Sequence, residues 1–280
     1  MKIFLTGGSG FIGKRFIKLA LSRGHLVYAV SRNIKFIKRK NLIWLVGGLD
    51  DNWKKYLKKV DVFVHLAAMG TKQFPEKKLY KIIKFNVEQS LKIILQALNC
   101  KCKNFVIAST SSEYSNNGKC NVKGLNRNSP RGFSSIYSLS KIVFSDLIKY
   151  LAKNTKAKFK IMRIFPTYGV GEPKSRLYPT LKKYAKLEKN LTIDNPTEIR
   201  DFTNVDYVAK VLIDVCERKI KKNFSIFHVS SNDTRSIKEF AGYVWKKNKA
   251  KGNLKFKMNK KKVFRHISDA KSNWRLKNEK

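Results

Sequence analysis

Short apolar runs alternate with segments of helical periodicity along the first part of this 280-residue chain. Nearly continuous apolar runs predict buried strands over 2–6, 25–32, 43–46, 60–68, 105–110 and 159–165. Apolar positions three or four residues apart predict helices over 11–22, 76–98 and 134–153. Strands that alternate with helices form a parallel, doubly wound sheet, and strands without polar alternation are buried on both faces. We therefore predict a Rossmann-type α/β fold.

The pattern loosens after residue 166. Helical pieces over 176–188, 205–218 and 236–247 mix with short strands such as 226–230. We predict one domain over 1–166 and a smaller mixed α/β lobe over 167–280, some of whose elements return to the sheet. The lysine-rich run over 255–262 is expected to be a solvated loop.

A glycine-rich loop separates the first strand from the first helix. Such a turn lets the backbone approach a pyrophosphate, which then rests on the N–H groups of the helix N-terminus. The spacing fits a dinucleotide, although a glycine turn can also be only a turn. The residues expected to hold the pyrophosphate are Gly7, Gly10, Phe11, Ile12 and Gly13.

The residues at the end of the second strand distinguish between the candidate dinucleotides. A site for NAD places a carboxylate there to bind the ribose 2′-hydroxyl, whereas this chain has Ser31 and Arg32. A guanidinium suits a 2′-phosphate. We therefore favour NADP(H) and keep NAD(H) as the alternative. Arg32 could also be one more surface cation of a basic chain.

The chain is very basic, with 61 Lys and Arg against 19 Asp and Glu and a net charge of +42. Such a charge is typical of proteins that bind nucleic acid or another polyanion. Here the lysines are spread along the whole chain, which indicates a compositional bias. Hydrophobic residues make up 42% of the chain and predict a folded globule. An RNA- or polyanion-binding protein on this fold remains the alternative from another class.

A tyrosine and a lysine four residues apart open the third long helix. Tyr137 and Lys141 share one helical face, where a cation lowers the pKa of a phenol and makes it an acid or base near neutral pH. Thr110 lies in a hydroxyl cluster over 109–112, at the carboxyl end of the fifth strand, where ligands bind in such sheets. A core tyrosine beside a solvated lysine would give the same spacing.

Together these motifs resemble the extended short-chain dehydrogenase/reductases, the family of NAD(P)-dependent nucleotide-sugar epimerases, dehydratases and reductases. The resemblance runs almost end to end, through TGGSGFIG (6–13), DVFVHLAA (61–68), FNVEQSLKII (85–94), YSLSK (137–141), RIFPTYG (163–169) and RDFTNVDYVA (200–209). It implies that the first domain binds the cofactor and that the lobe binds a nucleotide-sugar.

The resemblance also implies roles for single residues. Tyr137 would exchange a proton with the sugar, Thr110 would hydrogen-bond the reacting oxygen, and Lys141 would hold the nicotinamide ribose. Leu66, Ala67, Ala68 and Asn86 would join the cofactor site. Ser111 and Arg200 would bind the substrate, with Arg200 on the diphosphate. No metal site is expected.

One departure from the family pattern limits which reactions of the family this chain is expected to catalyse. Dehydratases of the family carry an Asp-Glu or Ser-Glu pair directly after the catalytic threonine, whereas Ser111 and Ser112 follow it here and Glu113 comes one position late. Elimination of water needs that extra acid and base. We therefore favour an NADPH-dependent reductase of a nucleotide-linked 4-keto-6-deoxyhexose, with an NAD-dependent 4-epimerase as the alternative.

Three further expectations concern the setting of the protein. The four cysteines, Cys100, Cys102, Cys120 and Cys216, lack redox or zinc spacing and are expected to be reduced thiols. No apolar run is long enough for a membrane span, so the cytosol is the expected location. The resemblance implies a homodimer through the two long helices. The stripe of Ile82, Phe85, Leu91 and Ile94 would allow it, but would equally suit packing against the sheet.

Overall fold

Parallel strands form the central layer of the protein. The computed structural model describes residues 1–32, 39–70, 79–114, 124–258 and 265–274. The strands of these ranges are β1 (Lys2–Thr6), β2 (Leu26–Ser31), β3 (Leu42–Val46), β4 (Val62–His65), β5 (Asn104–Thr110), β6 (Lys158–Ile164), β7 (Thr167–Tyr168), β8 (Leu191–Asp194), β9 (Ile199–Asp201), β10 (Thr203–Asn204), β11 (Phe224–Val229), β12 (Thr234–Ser236), β13 (Leu254–Lys257) and β14 (Arg265–His266).

Helices cover both faces of this layer. The α-helices of the described ranges are α1 (Phe11–Ser22), α2 (Lys54–Leu57), α3 (Leu79–Ile83), α4 (Ser90–Asn99), α5 (Ile136–Asn154), α6 (Leu177–Lys186), α7 (Val205–Glu217) and α8 (Ile237–Lys247). A π-helical segment over Lys84–Gln89 joins α3 to α4, and short 3₁₀ turns cover Ser111–Glu113 and Ala270–Ser272. Most of the predicted elements are confirmed, although the strand expected over 60–68 ends at His65.

The central sheet has seven strands in the order β11-β6-β5-β4-β1-β2-β3. Every neighbouring pair is parallel. The strand order reverses between β1 and β4, so the carboxyl ends of these two strands flank the crevice in which such sheets bind ligands. The predicted Rossmann-type fold is confirmed.

The sheet is buried on both faces, as its apolar strands predict. On one face α1 and α7 pack through Phe16, Val208 and Leu212, which are fully buried. On the other face Phe105 stacks on Phe159 with ring centroids 4.5 Å apart. Helix α1 ends where expected, because Gly24 takes a left-handed φ of 75°. Its N–H and that of the next residue then close the last turn on the carbonyls of Leu21 and Ala20.

A third apolar cluster packs residues of α6, β8 and α8 together with Phe202. Phe202 and Phe240 stack with ring centroids 3.8 Å apart. The expectation of a solvated loop over 255–262 is wrong for 255–257, since β13 pairs in parallel with β8. Phe256 is half-buried there, whereas Lys255 and Lys257 are exposed, so an amphipathic strand accounts for the lysines. Residues 259–262 lie outside the described ranges.

The apolar stripe considered for a dimer packs against the protein's own sheet. Ile82 is 1% exposed and Ile94 is fully buried. Phe85 and Leu91 are partly buried against the same cluster as Ile94. Among the described residues, no helix is long and apolar enough to cross a membrane. Cys100, Cys102 and Cys216 are free thiols, and Cys120 lies outside the described ranges.

Candidate active site

A cleft of about 1110 Å³ opens at the carboxyl ends of the central strands. Its lining includes the glycine loop after β1, the residues that follow β6, and Glu198 and Arg200 at β9. Most of the residues singled out from the sequence line this cleft: Gly7, Gly10, Phe11, Ile12, Gly13, Leu66, Ala68, Thr110, Ser111, Tyr137, Lys141 and Arg200. The fold therefore gathers residues from five separate sequence motifs around one space.

The glycine loop leaves no room for side chains. A Cβ on Gly7 would lie 2.6 Å from the backbone N of Ala67, and its φ is 73°. A Cβ on Gly13 would lie 2.2 Å from the carbonyl oxygen of Gly7. These contacts hold the N-terminus of α1 against the strand ends, where the first backbone N–H groups of a helix lack intrahelical partners. Such a cradle fits the pyrophosphate of a dinucleotide.

Four of the expected cofactor residues do not line the cleft. Ala67 is buried behind the glycine loop, and Ser31 is buried at the end of β2. Arg32 lines a separate hollow of about 480 Å³. Its guanidinium carbon lies 5.9 Å from the centroid of the Phe85 ring. The same hollow is lined by Gly48, Asp50, Lys81, Lys84 and Gln89.

Asn86, the fourth of these residues, is bonded entirely within the protein. Its side chain exchanges two hydrogen bonds of 2.8 Å with the backbone of Met69 and donates a third, 2.9 Å long, to Ser140 Oγ. It therefore ties the loop after β4 to α5. The sequence motif identified the residue, and the structure gives it a positioning contact.

Thr110 and Tyr137 line the same cleft, and the Thr110 hydroxyl lies close enough to act on the phenol. Burial raises the pKa of Tyr137 to about 12, against the opposing effects of the Arg176 guanidinium and of the Thr110 hydroxyl. The sequence-based expectation that Lys141 lowers this pKa is wrong for this structure. Burial dominates, and Arg176 supplies the cationic effect.

Lys141 is buried and bonded to the sheet. Its ammonium Nζ donates to the carbonyl oxygen of Ala108 over 2.8 Å. Burial lowers the pKa of Lys141 to about 8, and Glu113 counteracts part of that effect. His65 lies nearby, between Thr6 Oγ1 at 2.8 Å and Ser90 Oγ at 3.1 Å. Burial, and then Lys141, lower the pKa of His65 to about 3, so this histidine is neutral.

Glu113 forms a buried ion pair directly behind the cleft. Its Oε2 lies 3.0 Å from Nη2 and 3.2 Å from Nε of Arg163, and both residues are at most 1% exposed. Its Oε1 accepts hydrogen bonds from Ser109 and Ser145. Arg163 also donates to the hydroxyl of Tyr114 over 2.7 Å. Every acceptor of this carboxylate therefore faces a donor from the sheet or α5.

Two charged residues that the sequence reasoning missed complete the open side of the cleft. Glu172 follows β7, and Arg176 lies at the start of α6. Burial raises the pKa of Glu172 to about 7, although Arg176 acts in the opposite direction. Their only sequence signal is a spacing of four residues immediately after the motif that ends at Gly169.

Arg200 reaches the cleft from β9, as a partner of Glu198. Its Nη2 lies 2.8 Å and its Nε 2.9 Å from Oε1 of that glutamate. A guanidinium held in this way still has donors for an anionic ligand. The next residue, Asp201, is fully buried and accepts from Ser230 and from the backbone of Ser268, so it fixes the strand that carries Arg200.

No group of three or more His, Cys, Asp or Glu side chains is arranged to hold a metal ion within the described ranges. The titratable groups that line the cleft are instead one phenol (Tyr137), one ammonium group and two guanidinium groups, and the carboxyl groups of Glu172 and Glu198. This set is suited to proton transfer and to binding anions.

Residues 3–229 match the NAD dependent epimerase/dehydratase family. The chain is 27% identical over 245 residues to the bifunctional polymyxin resistance protein ArnA of Wigglesworthia glossinidia brevipalpis, covering 79% of this chain and 37% of that protein. It thus spans little more than a third of that relative. It is 25% identical over 256 residues to CDP-abequose synthase of Salmonella typhimurium, covering 86% of this chain and 79% of the synthase.

The fold is similar to that of UDP-N-acetylglucosamine 4-epimerase from Methanobrevibacter ruminantium M1. The TM-score is 0.87 at 18% identity, and the match covers 99% of this chain and 93% of the epimerase. At this level of identity the likeness concerns the fold alone.

Proposed function

We propose that this chain, which belongs to the NAD dependent epimerase/dehydratase family, is an NADPH-dependent reductase of a nucleotide-linked 4-keto-6-deoxyhexose. The observation that carries the proposal is that Thr110 and Tyr137, close enough for the threonine hydroxyl to act on the phenol, share one cleft with the glycine cradle. A proton-transfer pair that faces a dinucleotide cradle suits the interconversion of a carbonyl group and an alcohol.

The described residues fit a dinucleotide. Gly7 and Gly13 form a cradle that any Cβ would fill, at the N-terminus of α1. In the neighbouring hollow, Arg32, Lys81 and Lys84 provide three cations. They favour a 2′-phosphate and thus NADP(H), although Asp50 lines the same hollow and NAD(H) is the alternative. When bound, NADPH would supply a hydride to the keto carbon.

The state of Tyr137 favours the reductive direction. With a pKa of about 12, this phenol is protonated at neutral pH and can donate its proton to the oxygen of a ketone as that carbon is reduced. Thr110 would hydrogen-bond the same oxygen. Lys141, cationic below a pKa of about 8, lines the same cleft and would hold the nicotinamide ribose.

The acidic residue nearest to the dehydratase position is engaged elsewhere. Glu113 is paired with Arg163 and accepts from two serines, so it has no lone pair left for a substrate proton. Ser111 and Ser112 occupy the two positions after Thr110. This arrangement supports a reductase or an epimerase over a dehydratase.

Arg200 is proposed to bind the diphosphate of the nucleotide-sugar. It lines the cleft on the lobe side, and its guanidinium can bind two phosphate oxygens at once. The names of two proteins similar to this chain, CDP-abequose synthase and UDP-N-acetylglucosamine 4-epimerase, refer to nucleotide-sugars. That agreement supports the substrate class and leaves the nucleotide base open.

A 4-epimerase is the second candidate, because the solved structures similar in fold include several 4-epimerases. The deciding experiment incubates the protein with NADPH and a panel of nucleotide 4-keto-6-deoxyhexoses and follows the loss of absorbance of the reduced nicotinamide. A parallel set offers ordinary nucleotide-hexoses without added cofactor. Reduction of a keto-sugar supports the reductase, whereas inversion of a hexose with no reduction of any keto-sugar would support the epimerase.

A homodimer is proposed through the solvent-facing sides of α4 and α5. Leu95, Val143 and Tyr150 are 40%, 39% and 65% exposed on these two helices. They differ from the stripe named from the sequence, which is turned toward the sheet. Sedimentation of the wild type and of a Val143→Glu variant tests this surface, because a charge at a buried interface would separate the subunits.

A further inference from the structure

The cleft contains a second group that can transfer protons. Glu172 lies in the loop between β7 and α6, two residues after Val170 and next to Gly171, whose φ is 93°. Its Oε2 is buried and accepts no hydrogen bond from any described residue. The same residue lines the cleft together with Thr110 and Tyr137. A buried carboxylate oxygen without a donor is costly unless the group is protonated or meets a ligand.

Charge and burial suit this carboxyl group to acid and base work. Arg176 lies close enough to act electrostatically on Glu172 and also on Tyr137, and all three residues line the same cleft. With its pKa raised to about 7, Glu172 is partly ionised at neutral pH. A general base works best with a pKa near the working pH. Glu113, by contrast, is locked in its ion pair, and Glu198 is held by Arg200.

We propose that Glu172 is a second proton-transfer residue of this cleft and exchanges a proton at a carbon next to the ketone of the sugar. The inference rests on the proposed function, since it needs a 4-keto-sugar in the cleft. It adds an activity that the hydride reaction does not require. The substrate class is a nucleotide-linked ketohexose with a hydrogen on a carbon that flanks the carbonyl group.

The step balances without an oxidant or reductant. The carboxylate of Glu172 takes the hydrogen as a proton, and the electron pair of the broken C–H bond forms the C=C bond of an enolate. The ketone oxygen takes the negative charge, and Thr110 and Tyr137 can donate hydrogen bonds to it. Return of a proton to the carbon regenerates the carboxylate and the ketone. Return to the opposite face would invert that carbon.

Deuterium exchange tests the inference separately from reduction. The protein is incubated in D₂O with a nucleotide 4-keto-6-deoxyhexose and no NADPH, and deuterium in the sugar is followed by proton NMR against a sample without protein. NADPH oxidation is measured on the same sugar in a second assay. We expect the wild type to catalyse exchange, and Glu172→Gln to lower the exchange rate about 100-fold or more relative to the reduction rate.

Two comparisons keep the test sharp. Glu188→Gln, which alters an exposed glutamate paired with Lys251 at the end of α6, should exchange like the wild type. Glu172→Asp keeps the carboxylate but places it farther from the sugar, so it should catalyse exchange slowly. This variant provides the test if Glu172→Gln does not fold. Reduction by the wild type without exchange would overturn this inference and leave the reductase standing. Exchange without reduction would overturn the reductase alone.

Discussion

Glu113 and Arg163 form an ion pair that is closed off from solvent, with Oε2 of the glutamate 3.0 Å from Nη2 of the arginine. Removing one partner leaves the other charge buried and uncompensated. Glu113→Gln should therefore lower the free energy of unfolding by about 3–5 kcal/mol, measured by urea denaturation. Glu88→Gln, which breaks the exposed pair of Glu88 with Lys92, should leave the unfolding midpoint unchanged. Equal effects of the two variants would contradict the account.

The glycine cradle predicts opposite outcomes for two Gly→Ala substitutions. In Gly13→Ala the new Cβ meets the carbonyl oxygen of Gly7 at 2.2 Å, so α1 must shift away from the strand ends. We expect lower stability and NADPH binding weakened more than about tenfold in a fluorescence titration. Gly242→Ala places its Cβ in open space on α8 and should stabilise the protein by about 0.5–1 kcal/mol. An unaltered NADPH affinity in Gly13→Ala would count against the cradle.

The buried cation of Lys141 should lower the free energy of unfolding at neutral pH. Its pKa is about 8 in the folded protein and 10.5 ordinarily, so between these values the unfolded chain binds more protons and stability rises with pH. Below pH 8 the full cost applies, about 3 kcal/mol. Lys141→Met should therefore be more stable than the wild type at pH 7, despite losing activity.

The measurement is urea denaturation of both proteins across the same pH range. The stability advantage of Lys141→Met should shrink as the pH rises from 8 to 10.5. Lys149→Met, an exposed substitution on the same helix, should show no such trend. An advantage that stays constant with pH would mean that Lys141 is not a buried cation.

Arg32 should decide between the two cofactors. Arg32→Asp replaces a cation of the hollow beside Phe85 with the carboxylate that suits a ribose 2′-hydroxyl. The ratio of NADPH affinity to NADH affinity should fall by about 10–100-fold, the value of a charged hydrogen bond or two. Lys58→Asp changes the net charge equally on α2's C-terminal flank and should leave the ratio unaltered. An unchanged ratio in Arg32→Asp would remove the argument for NADP(H).

The sheet and its cleft were predictable because their signals are local. Apolar runs give β1, β4, β5 and β6, and glycines in sequence mark the cradle. The elements after residue 166 were less predictable from the sequence, because β9 pairs with β12 and β14, which are distant along the chain. The pattern around Lys255 and Lys257 looks like a charge run until β8 supplies its partner.

In the site, too, local features were predictable from the sequence, whereas features that depend on the fold were not. Spacing brought Tyr137 and Lys141 to one helix face, but it could not show that Lys141 points to the carbonyl of Ala108. The pKa of Tyr137 depends on burial, which the sequence does not give. Glu172 and Arg176 escaped notice because only the folded loop brings them to the cleft that contains Tyr137.

The most direct test of the account compares Tyr137→Phe with the wild type in a single turnover of NADPH on the nucleotide 4-keto-6-deoxyhexose that the wild type reduces best. The phenyl ring keeps the packing of this partly buried side chain and removes only the hydroxyl that we propose donates the proton. The account predicts NADPH binding within a few-fold of the wild type and a hydride-transfer rate lower by about 100-fold or more. Hydride transfer at the wild-type rate in Tyr137→Phe would contradict it.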